Sequence, residues 1–354
     1  MSVIVANTYS IYIGKNVFTQ LKSFIKKSTY SSFFILCDEN SLQHCLPILI
    51  SKVNALAEAH IIEMESGESN KTLEVAANIW QTLLENKADK NSLLINLGGG
   101  VVSDLGGFSA SVYKRGIDFI HIPTTLLSMV DASVGGKTGI DFMHIKNAIG
   151  TFSNPKAVFV SSIFLSSLPA NHINNGLAEV YKMALVANSN LWKTLNNPQQ
   201  KFHLEKIIET NLILKNKIVT EDPMDKDIRK SLNFGHTIGH ALESAFIGNS
   251  LLLLHGEAVV IGMIVESHIA FQKRLITKSV LQEIVDSLNS NFSVVCPPKE
   301  YWQQVQHALN NDKKNKNGKK LFSLIQRIGK PAIDIEVNDK QIELAISYFQ
   351  SIVC

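Results

Sequence analysis

The segment from Asn96 to Gly139, NLGGGVVSDLGGFSASVYKRGIDFIHIPTTLLSMVDASVGGKTG, constrains this chain more than any other. An apolar run, Ser92 to Leu97, reads as a buried strand and leads directly into Gly98, Gly99 and Gly100. Glycine has no Cβ, so backbone N–H groups there can approach a phosphate closely. Asp104 and the pair Gly106-Gly107 follow. A second strand, Phe119 to Ile122, runs into Pro123-Thr124-Thr125, and the segment closes with Asp131 and Lys137 beside another glycine pair. Glycines, hydroxyls and a lysine gathered at strand ends suit a phosphate-bearing cofactor and an anionic substrate. The pattern is not G-x-G-x-x-G, and alone it also fits a set of tight turns between strands.

The flanking sequence supplies a frame. Ser31 to Cys37 reads as a strand ending at Asp38-Glu39-Asn40, and Ala59 to Met64 as another ending at Ser66-Gly67-Glu68. Thr72 to Asn86 has helical spacing, with Leu73, Ala76, Ala77, Trp80, Leu83 and Leu84 on one face. Strands separated by helices imply a parallel sheet with crossovers, whose ligands sit beyond the carboxyl ends of the strands. Asp38, Glu68, Gly98 and Thr124 occupy such positions. After Pro155 and a short strand, Ala157 to Val160, helical spacing takes over: Asn175 to Val186, His203 to Val219, Leu232 to Phe246, His255 to Phe271 and Lys278 to Leu288. The expected fold is an α/β Rossmann-like N-terminal domain with a parallel sheet, residues 1–160, followed by an all-helical C-terminal domain, residues 161–354. A chain of 354 residues is long enough for two cores.

Composition narrows the function classes. A net charge of +3 is too small to argue for a nucleic-acid partner. No window approaches the roughly 18 apolar residues that span a bilayer, and the N-terminus lacks a basic region followed by a long apolar stretch. The four cysteines, Cys37, Cys45, Cys296 and Cys354, show no metal-knuckle spacing and suggest no disulfide framework. A reducing cytoplasm is the expected location. The basic run Lys313-Lys314-Asn315-Lys316 alone reads as a solvated loop.

The helical half carries three unusual segments. In GLAEVYK, Glu179 and Lys182 share a helical face among apolar neighbours, and buried charges need partners. In NFGHTIGHALE, His236 and His240 stand four apart, a metal-ligand spacing. His255-Gly256-Glu257 opens another apolar helix. One carboxylate and histidines from separate helices would suit a catalytic divalent ion with an open position. Spacing selects Glu179, His236 and His255, with His240 as a further candidate.

Taken together, GGGVVSDLGGF, RGIDFIHIPTTLLSMVDASVGGKTGID, KNAIGTF, LAEVYK, LNFGHTIGHALE and HGEAV resemble the 3-dehydroquinate synthase family of sugar-phosphate cyclases, in that family's order, from about Asp38 to Lys314. The resemblance implies NAD-mediated conversion of 3-deoxy-D-arabino-heptulosonate 7-phosphate to 3-dehydroquinate and phosphate, with Zn²⁺ or Co²⁺ as second cofactor and a homodimeric assembly. It implies Glu179, His236 and His255 as metal ligands and moves His240 from the metal to the phosphate. Lys137, Lys146, Asn147 and His240 would grip phosphate, with Arg115 reaching in from a second copy. Lys182, Lys215, Arg229 and Asn233 would bind the substrate carboxylate and hydroxyls, with Asp131 in the hydroxyl network and Lys313 or Lys314 completing the site. Asp38, Asn40, Glu68 and Lys71 would hold the adenosine. Gly99, Gly100, Val101, Asp104, Thr124 and Thr125 would hold the pyrophosphate and nicotinamide ribose, with Lys137 and Lys146 nearby and Phe164 to Ser167 beside the nucleotide.

The chain departs from the family pattern at Ser103 (usually glycine), at Ser167 (usually threonine) and in the loop Asp141–Ile145, which bears on the shape of the phosphate region. Two other activities share parts of this pattern: a cyclase of the same superfamily acting on a sugar phosphate without a carboxylate, and a metal-dependent polyol dehydrogenase. Retention of Lys215, Arg229, Asn233 and His240 favours the carboxylate substrate.

Overall fold

The computed structural model describes residues 2–143, 145–197, 199, 203–246, 253–310 and 319–354. They form two compact units, one of residues up to Ile173 together with His203–Thr220, the other of Asn174 onward together with Glu221–Cys354.

The first unit contains β1 (Ser2–Val5), β2 (Ser10–Ile13), α1 (Val17–Lys27), β3 (Phe33–Asp38), α2 (Glu39–His44), α3 (Leu46–Lys52), β4 (His60–Met64), α4 (Leu73–Glu85), β5 (Leu93–Gly98), α5 (Gly100–Val112), β6 (Asp118–Pro123), β7 (Lys137–Phe142), β8 (Ile145–Phe152) and β9 (Ala157–Val160). Seven strands make one sheet in the order β1-β2-β9-β6-β5-β3-β4. All its neighbours are parallel except the edge pair β1–β2. β5 is buried along its whole length, as a central parallel strand covered on both faces must be. β4 lies on one side of β3 and β5 on the other, so the strand order reverses there. That switch point puts the ends of β3 and β5, Asp38 and Gly98, at the place where open α/β sheets bind ligands.

The helix predicted over residues 72–86 forms as α4, capped by the Thr72 hydroxyl, which accepts from the Val75 N–H. Its buried stripe is Ala76, Ile79 and Leu83, whereas Leu73 and Leu84 face solvent. The pair Gly106-Gly107 on α5 serves packing. A Cβ at Gly106 would stand 2.0 Å from Asn96 Oδ1 and 2.8 Å from Leu36, and one at Gly107 would stand 2.5 Å from Thr138. These absences let α5 lie against both the sheet and the separate β7–β8 hairpin.

The second unit is helical: α6 (Ala170–Ala187) from Asn174 onward, α7 (Ser189–Leu195), the last residue of α8 (Leu204–Glu221), whose other residues belong to the first unit, α9 (His236–Phe246), α10 (His255–Gln272), α11 (Lys278–Asn291), α12 (Lys299–Asn310) and α13 (Asp339–Val353). Between α12 and α13 it also contains one antiparallel hairpin, β10 (Lys320–Arg327) with β11 (Lys330–Val337), which helical spacing did not foretell. Cys296 and Cys354 form a disulfide, with Cα atoms 5.4 Å apart, contrary to the reading of the cysteine spacing. The partners lie 58 positions apart, so spacing carried no sign of the pair. Cys37 and Cys45 are buried free thiols. Lys313 and Lys314 lie outside the described residues.

Candidate metal centre and nucleotide cradle

In the second unit, three helices deliver the predicted metal ligands. Glu179 sits in the middle of α6, His236 is the first residue of α9, and His255 is the first of α10. Glycines set how closely those helices approach. A Cβ at Gly256 would stand 2.4 Å from the Asn175 carbonyl oxygen on α6, and one at Gly239 would stand 3.2 Å from the Ala258 carbonyl oxygen on α10. The Gly256 N–H donates to the Asn175 side-chain oxygen, fixing the first turn of α10 on α6.

Both imidazole Nε2 atoms lie 3.4 Å from the same Glu179 oxygen, Oε1. Donors about 2.0–2.2 Å from a tetrahedral ion stand roughly 3.3–3.6 Å apart, so the spacing is that of neighbouring ligands. The three donor atoms all fall within 4.8 Å of one another. Glu179 is 1% exposed, and neither of its oxygens has an aligned hydrogen-bond donor among the described residues. Its contacts are ionic: Lys182 at Oε2 and the two imidazoles at Oε1. A buried carboxylate held this way is suited to a cation.

The outer faces of the histidines are also fixed. The Phe234 carbonyl lies 3.2 Å from His236 Nδ1, and a Glu243 oxygen lies 3.3 Å from His255 Nδ1. An acceptor at Nδ1 leaves Nε2 as the lone-pair nitrogen, the tautomer a metal requires. Burial disfavours charge on both His255 and Glu179. In His255 the Glu243 and Glu179 carboxylates outweigh burial and push the imidazolium pKa up to about 10. In Glu179 the charges of Lys182 and His255 outweigh it and hold the carboxyl down at about 2. Without a metal, the cluster therefore keeps a proton on His255.

A second trio, His240, Glu243 and His255, also falls within 4.8 Å. It shares His255 but uses the Nδ1 side facing Glu243. His240 thus groups with Glu243 and not with Glu179, although spacing alone admitted it as a ligand. Arg229 and Asn233 lie on the 3-10 segment Ile228–Asn233 that leads into α9. Arg229 is buried, and its Nη1 donates to the Pro223 carbonyl at 2.9 Å. The Asp222 carboxylate accepts backbone N–H groups from Lys226, Asp227 and Arg229 at 3.0, 2.6 and 3.1 Å. Against burial, these donors hold its carboxyl below the usual range and tie the turn together.

In the first unit, Gly99 precedes α5 and offers no side-chain cap to its first-turn N–H groups. Those of Gly100 and Val101 stand at the switch point, where an anion would satisfy them. The Thr124 N–H donates to the Gly98 carbonyl at 2.9 Å, and Thr125 Oγ1 lies 2.9 Å from Ser128 Oγ, so the ends of β5 and β6 are tied side by side. Asp38 caps α2 through Ser41, engaging Oδ1, while Asn40 on α2 is exposed. Phe164 and Ser167 lie on the 3-10 turn Ser162–Ser167, with Phe164 buried.

Lys71 is 2% exposed, and its Nζ donates to Asp104 Oδ2 and Asn147 Oδ1, both at 2.6 Å. Burial works against its charge, but Asp104 and Glu68 outweigh it and hold Lys71 protonated. Lys146 Nζ stands 3.6 Å from Glu68. Asn147, at φ +50°, donates its N–H to Asp141 Oδ1 at 2.7 Å. The structure thus joins the nucleotide candidates Glu68, Lys71 and Asp104 to the phosphate candidates Lys146 and Asn147. Lys137 is exposed at the start of β7, and Arg115, at φ +65°, is in the turn before β6. On α8, Lys215 Nζ reaches both the Asp131 carbonyl and its Oδ1, the latter at 2.6 Å, while Asn211 holds the Val130 carbonyl at 2.9 Å.

Two families of observation converge here. The 3-dehydroquinate synthase N-terminal model matches residues 61–175, and the C-terminal model matches residues 176–315. The chain belongs to the 3-dehydroquinate synthase family. The 3-dehydroquinate synthase of Parabacteroides distasonis is 34% identical over 96% of this chain and 97% of its own, and that of Clostridium tetani is 37% identical over 96% and 92%. The fold is also that of a 2-epi-5-epi-valiolone synthase from Streptomyces hygroscopicus solved with NAD⁺ and Zn²⁺ (TM-score 0.84, 23% identity, 99% of each chain). A glycerol dehydrogenase from Schizosaccharomyces pombe is a more distant match, at TM-score 0.66 and 16% identity over 99% of this chain and 91% of its own.

The reading from sequence missed the role of Glu243, which sits inside a quoted motif but orients His255 only once α9 and α10 are folded together. It also missed Glu266, a lone carboxylate in the apolar run Ala258 to Ala270. A single charge in such a run is itself a signal of a buried, partnered group.

Proposed function

We propose that this chain converts 3-deoxy-D-arabino-heptulosonate 7-phosphate to 3-dehydroquinate and inorganic phosphate. Family membership over nearly the whole chain supports this reading, and the Glu179–His236–His255 donor set is the observation that carries it. When bound, NAD supplies a hydride acceptor that later returns the hydride, and the divalent ion, Zn²⁺ or Co²⁺, supplies a Lewis acid at the substrate hydroxyls.

The nucleotide-binding role falls to residues 1–160, and the metal- and substrate-binding role mainly to residues 161–354. The uncapped first turn of α5, with Gly99, Gly100 and Val101, receives the pyrophosphate. Thr124 and Thr125 face the nicotinamide ribose, and Asp38 and Glu68 favour a free ribose hydroxyl over a 2′-phosphate by charge repulsion. Lys71 ties Asp104 to Asn147 through its two hydrogen bonds. Lys137, Lys146, Asn147 and His240 bind the substrate phosphate through charge-assisted bonds. The phosphate oxygen itself takes the proton during elimination, so no separate base is assigned. Lys215, held by Asp131, and Arg229, on the turn tied by Asp222, are assigned to the substrate carboxylate and hydroxyls, as are Lys182, Asn233 and Lys313 or Lys314.

We further propose a homodimer in which Arg115 serves the second copy. The β7–β8 hairpin supports self-association, because it exposes Ile145 (57%), Ile149 (38%) and Phe152 (51%). No helix among the described residues is long and apolar enough to cross a membrane, and we place the enzyme in the cytoplasm.

The test is direct. Purified protein given the heptulosonate phosphate, catalytic NAD⁺ and Zn²⁺ should release phosphate and dehydroquinate in equal amounts without accumulating NADH. Accumulating NADH would instead indicate a polyol dehydrogenase. Metal binding also has a proton signature, since a ligand imidazole must be neutral and His255 is held protonated. Calorimetry in buffers of different ionisation enthalpy should register about one proton released per metal between pH 6 and 8. No release would mean that His255 is already neutral before the metal binds.

A further inference from the structure

Glu266 is fully buried on α10 and carries no role in the reaction described above. Its Oε2 accepts the Gly235 N–H at 2.6 Å, and its Oε1 accepts the Ile238 N–H at 3.0 Å. These two N–H groups bracket His236, the first residue of α9. The carboxylate therefore acts as an N-cap supplied by another helix, at the end where the backbone dipole favours negative charge.

The two histidine ligands are coupled through this contact. At 100° per residue, His255, Gly262 and Glu266 on α10 fall within about 20° of one stripe. At Gly262 a Cβ would stand 1.9 Å from the Gly235 carbonyl oxygen, so the α9 entry lies directly on the α10 backbone. Gly235 takes a left-handed φ of +79°, which turns the chain into α9 at that point. One stripe of α10 thus presents His255 at its start, receives the backbone before His236 at Gly262, and clamps the first turn of α9 at Glu266.

We propose that Glu266 is a positioning residue for the metal centre: it fixes the first turn of α9, and with it the distance and aim of the His236 imidazole relative to Glu179 and His255. The inference rests on the metal reading given above. The clamp needs two acceptors, because Gly235 and Ile238 each present an N–H donor to it. A carboxylate satisfies both, whereas a glutamine amide turns an N–H₂ group toward one of them and breaks that half of the clamp.

The experiment uses the full chain. Wild type and Glu266→Gln are titrated with Co²⁺ against a competing chelator, with the visible ligand-field spectrum recorded. NAD binding and circular dichroism serve as measures of folding. Loss of an outer-sphere hydrogen bond typically weakens metal affinity by about 10–100-fold. That loss is expected in Glu266→Gln, with an altered Co²⁺ spectrum and unchanged NAD affinity. Glu266→Asp keeps both acceptors but withdraws them by one methylene, and should retain part of the affinity that Glu266→Gln loses. Should Glu266→Gln fail to fold, Glu266→Asp becomes the deciding variant, with weakened Co²⁺ binding still expected. Wild-type affinity and spectrum in whichever variant folds would overturn the assignment, as would failure of both to fold, which would make the clamp structural only. If the wild type itself binds no Co²⁺, it is the metal reading that falls.

Discussion

His255→Ala should lower turnover by about 10³-fold or more while leaving NAD affinity unchanged. A Lewis acid at the reacting hydroxyl is worth several kcal/mol, and each 1.4 kcal/mol is a factor of ten in rate. The substitution removes one of three donors whose nitrogens and oxygen stand at ligand spacing. It also strips Glu243 of one imidazole partner and Glu179 of one of its positive neighbours. Metal should therefore be lost on dialysis against a weak chelator that wild type withstands. The nucleotide candidates, from Asp38 through Thr125, belong to the other compact unit, so NAD titration separates loss of the metal from loss of the fold. Normal turnover in metal-depleted buffer would remove His255 from the ligand set, and the proposed chemistry with it.

What the sequence made legible divides along physical lines. Buried strands such as Leu93–Gly98 announce themselves by unbroken apolar runs, and the glycines at their ends by composition. The short strands β1, at the sheet edge, and β2, next to it, lack that contrast. The hairpins β7–β8 and β10–β11 were hidden for another reason, because their pairing is decided by partners and not by their own periodicity. The candidate donors stood out in the sequence as a glutamate among apolar helix residues and histidines beside glycines, but the four-residue spacing also admitted His240, which groups with Glu243. The supports of the donors did not stand out. Asn175, Glu243 and Glu266 act across helix contacts between residues 12 to 81 positions apart, and nothing in the local sequence encodes such a meeting. Gly106 shows the converse: a glycine inside a phosphate-binding pattern turned out to be required by Asn96 and Leu36 beneath it.

The Glu179–Lys182 pair leads to the second large effect. Their side chains are 1% and 2% exposed, so each depends on the other's charge. Lys182→Met keeps the unbranched stem and removes only the ammonium group. In chelator, the variant should unfold with about 3–5 kcal/mol less stability, the usual consequence of leaving one member of a buried pair uncompensated. Saturating Zn²⁺ brings two positive charges to the same carboxylate, so the deficit should shrink markedly in its presence. The pH dependence has a definite sign. The Glu179 carboxyl is held at about 2 in the folded wild type, below its ordinary value, so its stabilisation is complete above the ordinary range and is lost as pH falls toward that folded value. In the variant the carboxyl loses a main source of that depression and titrates at higher pH. The metal-free gap between the two proteins should therefore be widest near neutrality and close in acid. Denaturant unfolding at several pH values, with and without Zn²⁺, reads both dependences at once. A gap indifferent to metal and to pH would mean that Lys182 contributes only its aliphatic stem, and that the carboxylate beside it is not the cation's seat.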